Sequence, residues 1–483
     1  MPRCPRRGLP GKVSVQLSRL GLRCAEPRPR SAHIIRTMNT HSIGRQVGLL
    51  RGMFGLVAAL GAFSSAFAQQ ASSPASCHAG FYRLKNAGID IAPSNGAALR
   101  WRMSDGTIGL LRSSAGDVWN STLGWTDRAD HHRVEFPSCD EVRFDGVAGR
   151  RVDFDVQDVR FESGSASLAG RLIMPKGKGP VPLIVLVHGS EQTSARATYS
   201  LQRQFPGEGV AAFVYDKRGT GESQGIYTHD YHVLAMDAAA ALRAARRLAG
   251  PRAGRVGFQG SSQGGWVAPL AATLTPIDFV IVGYGLAVSP LDEDREAVEL
   301  DMSRHGFGAA ETRKALEVAA AAHAIVFSGF RSGYAELDAA RAKYSAEPWF
   351  RFLRGNVTGI LLPAPHESIR AQGPVLFAGI QPDYDPLPVL RRLDTPQLWI
   401  LGAEDIDAPV GETLRRLRAL RQSGRPIAAV VYPHAEHGMY EFETDAQGER
   451  VSLRQPASYL GLMCEFARRG RIGARYDAAT IYR

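Results

Sequence analysis

No Cys-x-x-Cys pair, no His-Glu-x-x-His helix and no Gly-x-x-x-x-Gly-Lys-[Ser/Thr] loop occurs in the sequence. Those patterns are the usual sequence grounds for a bound metal or a nucleotide phosphate. Neither a metal site nor a cofactor is therefore expected, and the pair His131-His132 reads as solvated. No internal repeat is visible. Cysteine is scarce, five in 483 residues. The body of the chain also lacks a surplus of positive charge. The net charge is +11, but residues 1–37 carry nine Lys/Arg against one acid and residues 38–68 add two more basic groups, which leaves 69–483 near +1. A near-neutral body gives no argument for nucleic acid or an anionic membrane as partner. The apolar stretch Met53–Phe63 is short of the roughly 20 residues that span a bilayer.

That stretch follows Arg45 and Arg51 and precedes Ala66-Phe67-Ala68. Basic n-region, apolar h-region and A-x-A site make 38–68 a signal peptide, cleaved after Ala68, with an uncleaved anchor as the alternative. Residues 1–37, rich in Arg and Pro, fit poorly as an n-region and are read as a doubtful or disordered prefix ahead of a true start at Met38. The expected location is periplasmic or secreted, with no stable membrane span after cleavage. Export would allow a bridge between Cys77 and Cys139, with free thiols as the other case. Cys464, in the helix-like run Tyr459–Arg468, reads as a buried thiol.

At 44% hydrophobic the chain can bury a core. After a polar linker, Gln69–Ser76, residues 77–156 carry short alternating segments and turns such as Ser104-Asp105-Gly106. They read as a small β-rich domain. A larger domain, 160–483, alternates strand-like and helix-like runs. Leu183–Val187 is continuous and β-branched, as in a strand buried on both faces, and ends in His188-Gly189-Ser190. Tyr231–Leu248 reads as an amphipathic helix, and Arg255–Gln259 and Phe279–Gly283 as strands. An insertion of about a hundred residues, 288–388, then holds helices near Pro290–His305, Ala309–Phe327 and Tyr334–Ala346. It is expected to form a cap whose Phe327, Phe330, Trp349 and Phe350 pack it or line a pocket.

The chemistry concentrates at Gly260-Ser261-Ser262-Gln263-Gly264, set between a strand and a helix-like run. A serine on such a sharp turn is held exposed in a strained conformation, with small neighbours admitting close helix packing. Ser262 is the candidate nucleophile. The N–H of Gln263 and that of Ser190, or alternatively Glu191, are candidate oxyanion donors. A serine hydroxyl needs a base, and neutral imidazole serves near neutral pH. His437 is assigned that role, with His434 as alternative. Asp405, after the run Pro396–Gly402, is the expected carboxylate on its other nitrogen, with Asp407 as alternative. A carboxylate at Glu191 is unexpected beside an oxyanion.

Four blocks resemble the α/β-hydrolase superfamily, in particular bacterial serine esterases and prolyl-oligopeptidase-like hydrolases. They are Leu168–Pro175, Asp216-Lys217-Arg218-Gly219-Thr220-Gly221-Glu222-Ser223, the Gly260–Gly264 elbow, and Tyr384-Asp385-Pro386 through Asp405. The resemblance implies an α/β fold with a mostly parallel central sheet flanked by helices and a helical cap insertion. It implies a serine hydrolase with the chain order Ser, Asp, His. The expected substrate is a small-molecule ester, with a short peptide as the alternative and a non-catalytic binding protein as the reading from another class. The Asp216–Ser223 loop is expected to be structural, tied by Asp216 and Arg218.

Overall fold

Leu183, Val185 and Val187 face one apolar cluster, while Ile184 and Leu186 face another. This period of two belongs to a strand with cover on both sides. The computed structural model describes residues 77–94, 98–114 and 118–483. The expected prefix 1–37, the expected signal peptide 38–68 and the linker lie outside the described residues.

The buried run is β11 (Val181–Val187) of a nine-stranded sheet. The others are β9 (Phe154–Ser163), β10 (Ala166–Pro175), β12 (Ala211–Tyr215), β13 (Ala253–Ser261), β14 (Phe279–Gly283), β15 (Gln397–Gly402), β16 (Ile427–Tyr432) and β19 (Thr480–Tyr482). Their order is β19-β16-β15-β14-β13-β11-β12-β10-β9. The six strands from β12 to β16 run parallel, while β9, β10 and β19 are antiparallel to their neighbours. The chain places β12 on one side of β11 and returns to place β13 on the other. Order reverses at β11, so the loops leaving β11 and β13 diverge and open a crevice at the carboxyl edge. This is the α/β-hydrolase sheet.

Helices cover both faces. Tyr231–Ala249, Gly264–Ala272 and Gly411–Gln422 contribute to one apolar cluster, and Leu201–Gly207 and Tyr459–Arg469 to the other. The first of these starts where Asp230 accepts from the N–H groups of His232 and Val233, a side-chain cap. Its Ala238, Ala241 and Ala245 are fully buried, and small side chains there let the helix lie close to the sheet.

The β-rich segment closes on itself. β1 (Gly80–Leu84), β2 (Gly88–Pro93), β3 (Leu99–Met103), β4 (Ile108–Ser113), β5 (Val118–Thr122), β6 (Ala129–Ser138), β7 (Glu141–Phe144) and β8 (Val147–Arg151) form a barrel sealed by β1 against β8. Its interior holds Tyr82, Ile91, Trp101, Phe136 and Val142. Closure removes the free edges that a short sheet would expose. The expected end of this domain at 156 falls inside β9, which pairs with β10 from Phe154 to Ser163. β9 is an edge strand with one half-exposed face, so its alternation reads like that of the barrel. Asp90, fully buried in β2, takes a two-pronged ion pair from Arg203 at 2.5 and 3.0 Å, which pins the barrel to the helix Leu201–Gly207.

The insertion between β14 and β15 forms the helices Pro290–Arg304, Ala309–Phe327, Tyr334–Tyr344 and His366–Leu376. Trp349 is fully buried within it, Phe330 packs on Phe377, and Phe327 is exposed. No helix among the described residues is long and apolar enough to cross a membrane.

Cys77 and Cys139 are bonded, joining the segment that leads into β1 to the β6–β7 turn, and Cys464 is free and buried. Burial pushes the Cys464 thiol up to about 12. With its ends 62 positions apart in sequence, the bridge should stabilise the barrel by about 4 kcal/mol through loop closure. Cys139→Ser should therefore lower the barrel's unfolding transition in calorimetry. Iodoacetamide should modify neither Cys77 nor Cys139 in unreduced native protein; alkylated Cys77 would contradict the bond.

Candidate active site

Gly260 to Gly264 turns β13 into the helix Gly264–Ala272. A Cβ on Gly260 would lie 2.2 Å from the Gly264 carbonyl oxygen, and one on Gly264 2.3 Å from that of Val187 in β11. Both are far inside van der Waals contact, so glycine is required by space. The turn leaves Ser262 at φ +53°, a left-handed conformation that costs a non-glycine residue on the order of 1–3 kcal/mol. Its N–H donates to the Gly283 carbonyl at 3.0 Å, and its own carbonyl accepts from Gly265 at 2.7 Å. Ser261 and Gln263 are buried while Ser262 is partly exposed. Ser261 turns inward and accepts from Gln259 at 2.9 Å.

Ser262, His437 and Asp405 meet. Ser262 Oγ lies 3.0 Å from His437 Nε2, and His437 Nδ1 lies 2.9 Å from Asp405 Oδ2. The other carboxylate oxygen of Asp405 accepts from the N–H groups of Asp407 and Ala408 at 3.0 and 2.8 Å. Asp405 is thus fixed at both oxygens and only 2% exposed. The Tyr284 ring stands edge-on to the imidazole, 4.9 Å between centroids. His437 sits in a short turn followed by Gly438 at φ +77°. Burial works against charge on His437, but the Asp405 carboxylate and its hydrogen bond, helped by Asp407 and Glu293, outweigh it and raise the imidazole above its ordinary range. His434 is exposed. Asp407 contributes its charge, and its carbonyl accepts from Asn356 of the insertion at 2.7 Å.

The Gln263 and Ser190 N–H groups lie at the ends of β13 and β11 and donate to no partner among the described residues. Ser190 is fixed through its carbonyl, which accepts from Tyr227 at 2.5 Å. Glu191 folds back, its Oε2 3.6 Å from His188 Nδ1. Burial raises its carboxyl, but contact with His188 and the Lys217 charge prevail and bring it down to about 2.

Three further groups escape a reading of the sequence. Lys217 is buried and donates to the Gly189 carbonyl and to Gln263 Oε1. Glu293, partly exposed on the helix Pro290–Arg304, accepts from Asn356 at 2.9 Å. Its carboxyl is pushed well above the usual range by burial, with the nearby acids Asp294, Asp405 and Asp407 adding and His437 opposing. Glu436, which precedes His437 in the chain and contacts Arg450, is raised to about 7 by burial against the pull of that arginine. Only Lys217 carried a signal, its place in the Asp216–Ser223 loop. In that loop Asp216 ties to Ser194, Arg196 and Glu222, whereas Arg218 turns away to Asp237 on the helix Tyr231–Ala249.

Residues 164–288 match the family model for X-Pro dipeptidyl-peptidase (S15 family). A 60-residue stretch, 12% of this chain, is 32% identical to acylamino-acid-releasing enzyme 1 of Oryza sativa subsp. japonica, and spans only 8% of that protein. Among solved structures, the Pyrococcus horikoshii acylaminoacyl peptidase is similar over 80% of this chain and 57% of its own, at 17% identity and TM-score 0.40. The Pyrococcus furiosus esterase is similar over 59% and 84%, at 17% and 0.38. A Mycobacterium smegmatis proline iminopeptidase is similar over 65% and 98%, at 16% and 0.40. The sheet order, the elbow and the family match place the chain in the α/β-hydrolase superfamily, which includes serine peptidases and esterases.

Gly264→Ala tests the close approach. The added methyl must displace the β11 carbonyl or the helix, which should cost about 1–3 kcal/mol and move Ser262 off His437. Chemical denaturation should show the loss, with reduced fluorophosphonate labelling of the folded fraction. Unchanged values for both would mean the helix has room to yield.

Proposed function

We propose that the protein is a serine hydrolase that cleaves a carboxylic ester through an acyl-enzyme. The observation that supports it most is the line from the Ser262 hydroxyl through His437 to the doubly fixed Asp405. Ser262 Oγ attacks the ester carbon as its proton passes to His437 Nε2. The carbonyl oxygen becomes an oxyanion that accepts from the N–H groups of Gln263 and Ser190. His437 then gives its proton to the departing alcohol oxygen as the carbon–oxygen bond breaks, leaving the acyl group on Ser262. Water adds by the same route: its proton goes to His437, the bond to Ser262 breaks, and the proton returns to Oγ as the acid leaves. Asp405 holds the ring in the tautomer that exposes Nε2 as acceptor, and stabilises the imidazolium.

A serine peptidase is the second reading. It is favoured by the match to the S15 model. The reading from another class, a binding protein without turnover, is disfavoured by the hydrogen-bonded geometry at Ser262. An exported location, periplasmic or secreted, is part of the proposal; the Cys77–Cys139 bond is in keeping with an oxidising compartment.

A fluorophosphonate should label Ser262 in folded protein, and failure to label would favour the binder. Nitrophenyl esters of rising chain length should turn over faster than aminoacyl-nitroanilides; the reverse would favour the peptidase. Ser262→Ala and His437→Ala should abolish turnover with the fold intact, while His434→Ala should not. Asp405→Asn should lower kcat by up to roughly 10⁴-fold, and Asp407→Asn by far less.

The pH profile follows from His437. Its proton is held to higher pH than in a free imidazole, so the neutral base appears only as pH rises. The acid limb of kcat/KM should lie above the roughly 6.5 of free histidine. A limb at or below that value would mean the surrounding carboxylates do not act on the ring.

A further inference from the structure

Lys217 is 3% exposed and lies two residues after the end of β12. A buried ammonium is costly unless its protons are met. Two of the three find carbonyls: that of Gly189, and Gln263 Oε1 at 2.9 Å. Both partners matter for where they sit. Gly189 C=O and Ser190 N–H are two halves of one peptide unit, planar and with carbonyl and N–H pointing opposite ways. An ammonium gripping the carbonyl from one side fixes the N–H toward the other. Gln263 carries the second expected oxyanion donor on its own main chain. Its side chain is held at both ends, since Nε2 donates to His229 Nδ1 at 2.6 Å. His229 is kept neutral for that role, its pKa lowered to about 4 by burial and by the Lys217 charge.

We infer that Lys217 is the positioning residue of the oxyanion site: one ammonium ties the β11 loop to the elbow and aims the Ser190 and Gln263 N–H groups at a common point. The inference rests on the reading of Ser262 as nucleophile. Its physics has two parts. Without the grip, the Gly189–Ser190 peptide is free to rotate, glycine being permissive at that position, and a donor is lost. A cation hydrogen-bonded to the carbonyl also polarises the peptide and strengthens its N–H as donor. The unexpected Glu191 then has a place: its charge acts on Lys217 and sustains the ammonium.

The groups around Lys217 are Glu191 and His188 on the β11 loop, His229 and Tyr227 before the helix Tyr231–Ala249, and Gln263 on the elbow. His188 is held neutral by burial, the Tyr227 ring lies 5.7 Å from Nζ, and Glu191 is the carboxylate. Burial lowers the Lys217 ammonium to about 8, with Glu191 opposing. Proton loss from Lys217 should therefore weaken the oxyanion site as pH rises through that value.

The test uses the full chain with p-nitrophenyl butyrate, and a trifluoromethyl ketone whose hemiketal oxygen occupies the oxyanion position. Lys217→Met keeps the length and removes the charge. It should lower kcat by roughly 10²-fold, the scale of one lost oxyanion donor, with KM changed less than threefold. Ketone affinity should fall in parallel with kcat/KM, and the alkaline limb near pH 8 should vanish. Loss of folded protein in proportion to activity, with the limb and ketone affinity of the folded fraction unchanged, would overturn the inference in favour of a structural lysine. Should Lys217→Met not fold, Glu191→Gln decides: loss of the carboxylate that sustains the ammonium should shift the alkaline limb of ketone affinity to lower pH, and an unshifted limb overturns the inference. Failure of the underlying reading is distinct, since native protein would then neither label at Ser262 nor hydrolyse the ester.

Discussion

The helix Gly264–Ala272 lies so close to β13 and β11 that no side chain fits between them at Gly260 or Gly264, and the site depends on that approach. A chain that leaves a strand and enters a helix within so short a distance must reverse through a positive φ. The residue that does so is Ser262. Its side chain is thereby thrown out at the carboxyl edge while Ser261 is turned into the core. The same turn places the Gln263 N–H at the start of the helix, where main-chain donors lack intrahelical partners. The proposed nucleophile and the proposed donor come from one backbone distortion, and the apolar packing of Trp266, Val267 and Leu270 holds it.

The remaining groups reach the same edge because parallel strands end there together. Ser190 follows β11, Asp405 follows β15 and His437 follows β16. Parallel register makes this robust to what lies between. The insertion separates β14 from β15 by more than a hundred residues, yet Val280 to Gly283 pair directly with Gln397 to Ile400. Its influence on the site runs through a few contacts. Asn356 donates to the Asp407 carbonyl at 2.7 Å, and Ala378 accepts from the His229 N–H at 2.7 Å. Such an insertion is free to set substrate choice without disturbing the line from Ser262 to Asp405.

The features legible in the sequence are those with a short-range signature. Leu183–Val187 announced a strand covered on both faces by its unbroken apolar run. The glycines around Ser262 announced the elbow, because each answers a local lack of space. Closure of the barrel had no such signature, since pairing of β1 with β8 leaves no trace in the alternation of either. The end of the small domain was misplaced because β9, half exposed at an edge, alternates as a barrel strand does. Arg203 with Asp90 and Lys217 with Gln263 were out of reach, their partners lying 113 and 46 residues apart. Arg218 shows the same limit: its composition foretold an ion pair, but the partner, Asp237, stands on the next helix.

Charge is arranged unevenly across the proposed site, in the sense that ester cleavage would use. On the His437 side stand carboxyl groups, Asp405 in contact and Asp407 acting at longer range. On the far side, behind the Gly189–Ser190 peptide and the Gln263 side chain, stands the ammonium of Lys217. In the proposed reaction, transfer of the Ser262 proton to His437 would put positive charge on the imidazole and negative charge on the former carbonyl oxygen. Each charge then forms beside groups of opposite sign fixed before the reaction begins. Among groups as buried as His437, Asp405 and Lys217, such preorganised charges act strongly and need no reorientation as the barrier is crossed. A carboxylate at Glu191 would oppose this if it stood alone. Folded back against His188 and balanced by Lys217, it maintains the cation on the side where the oxyanion forms.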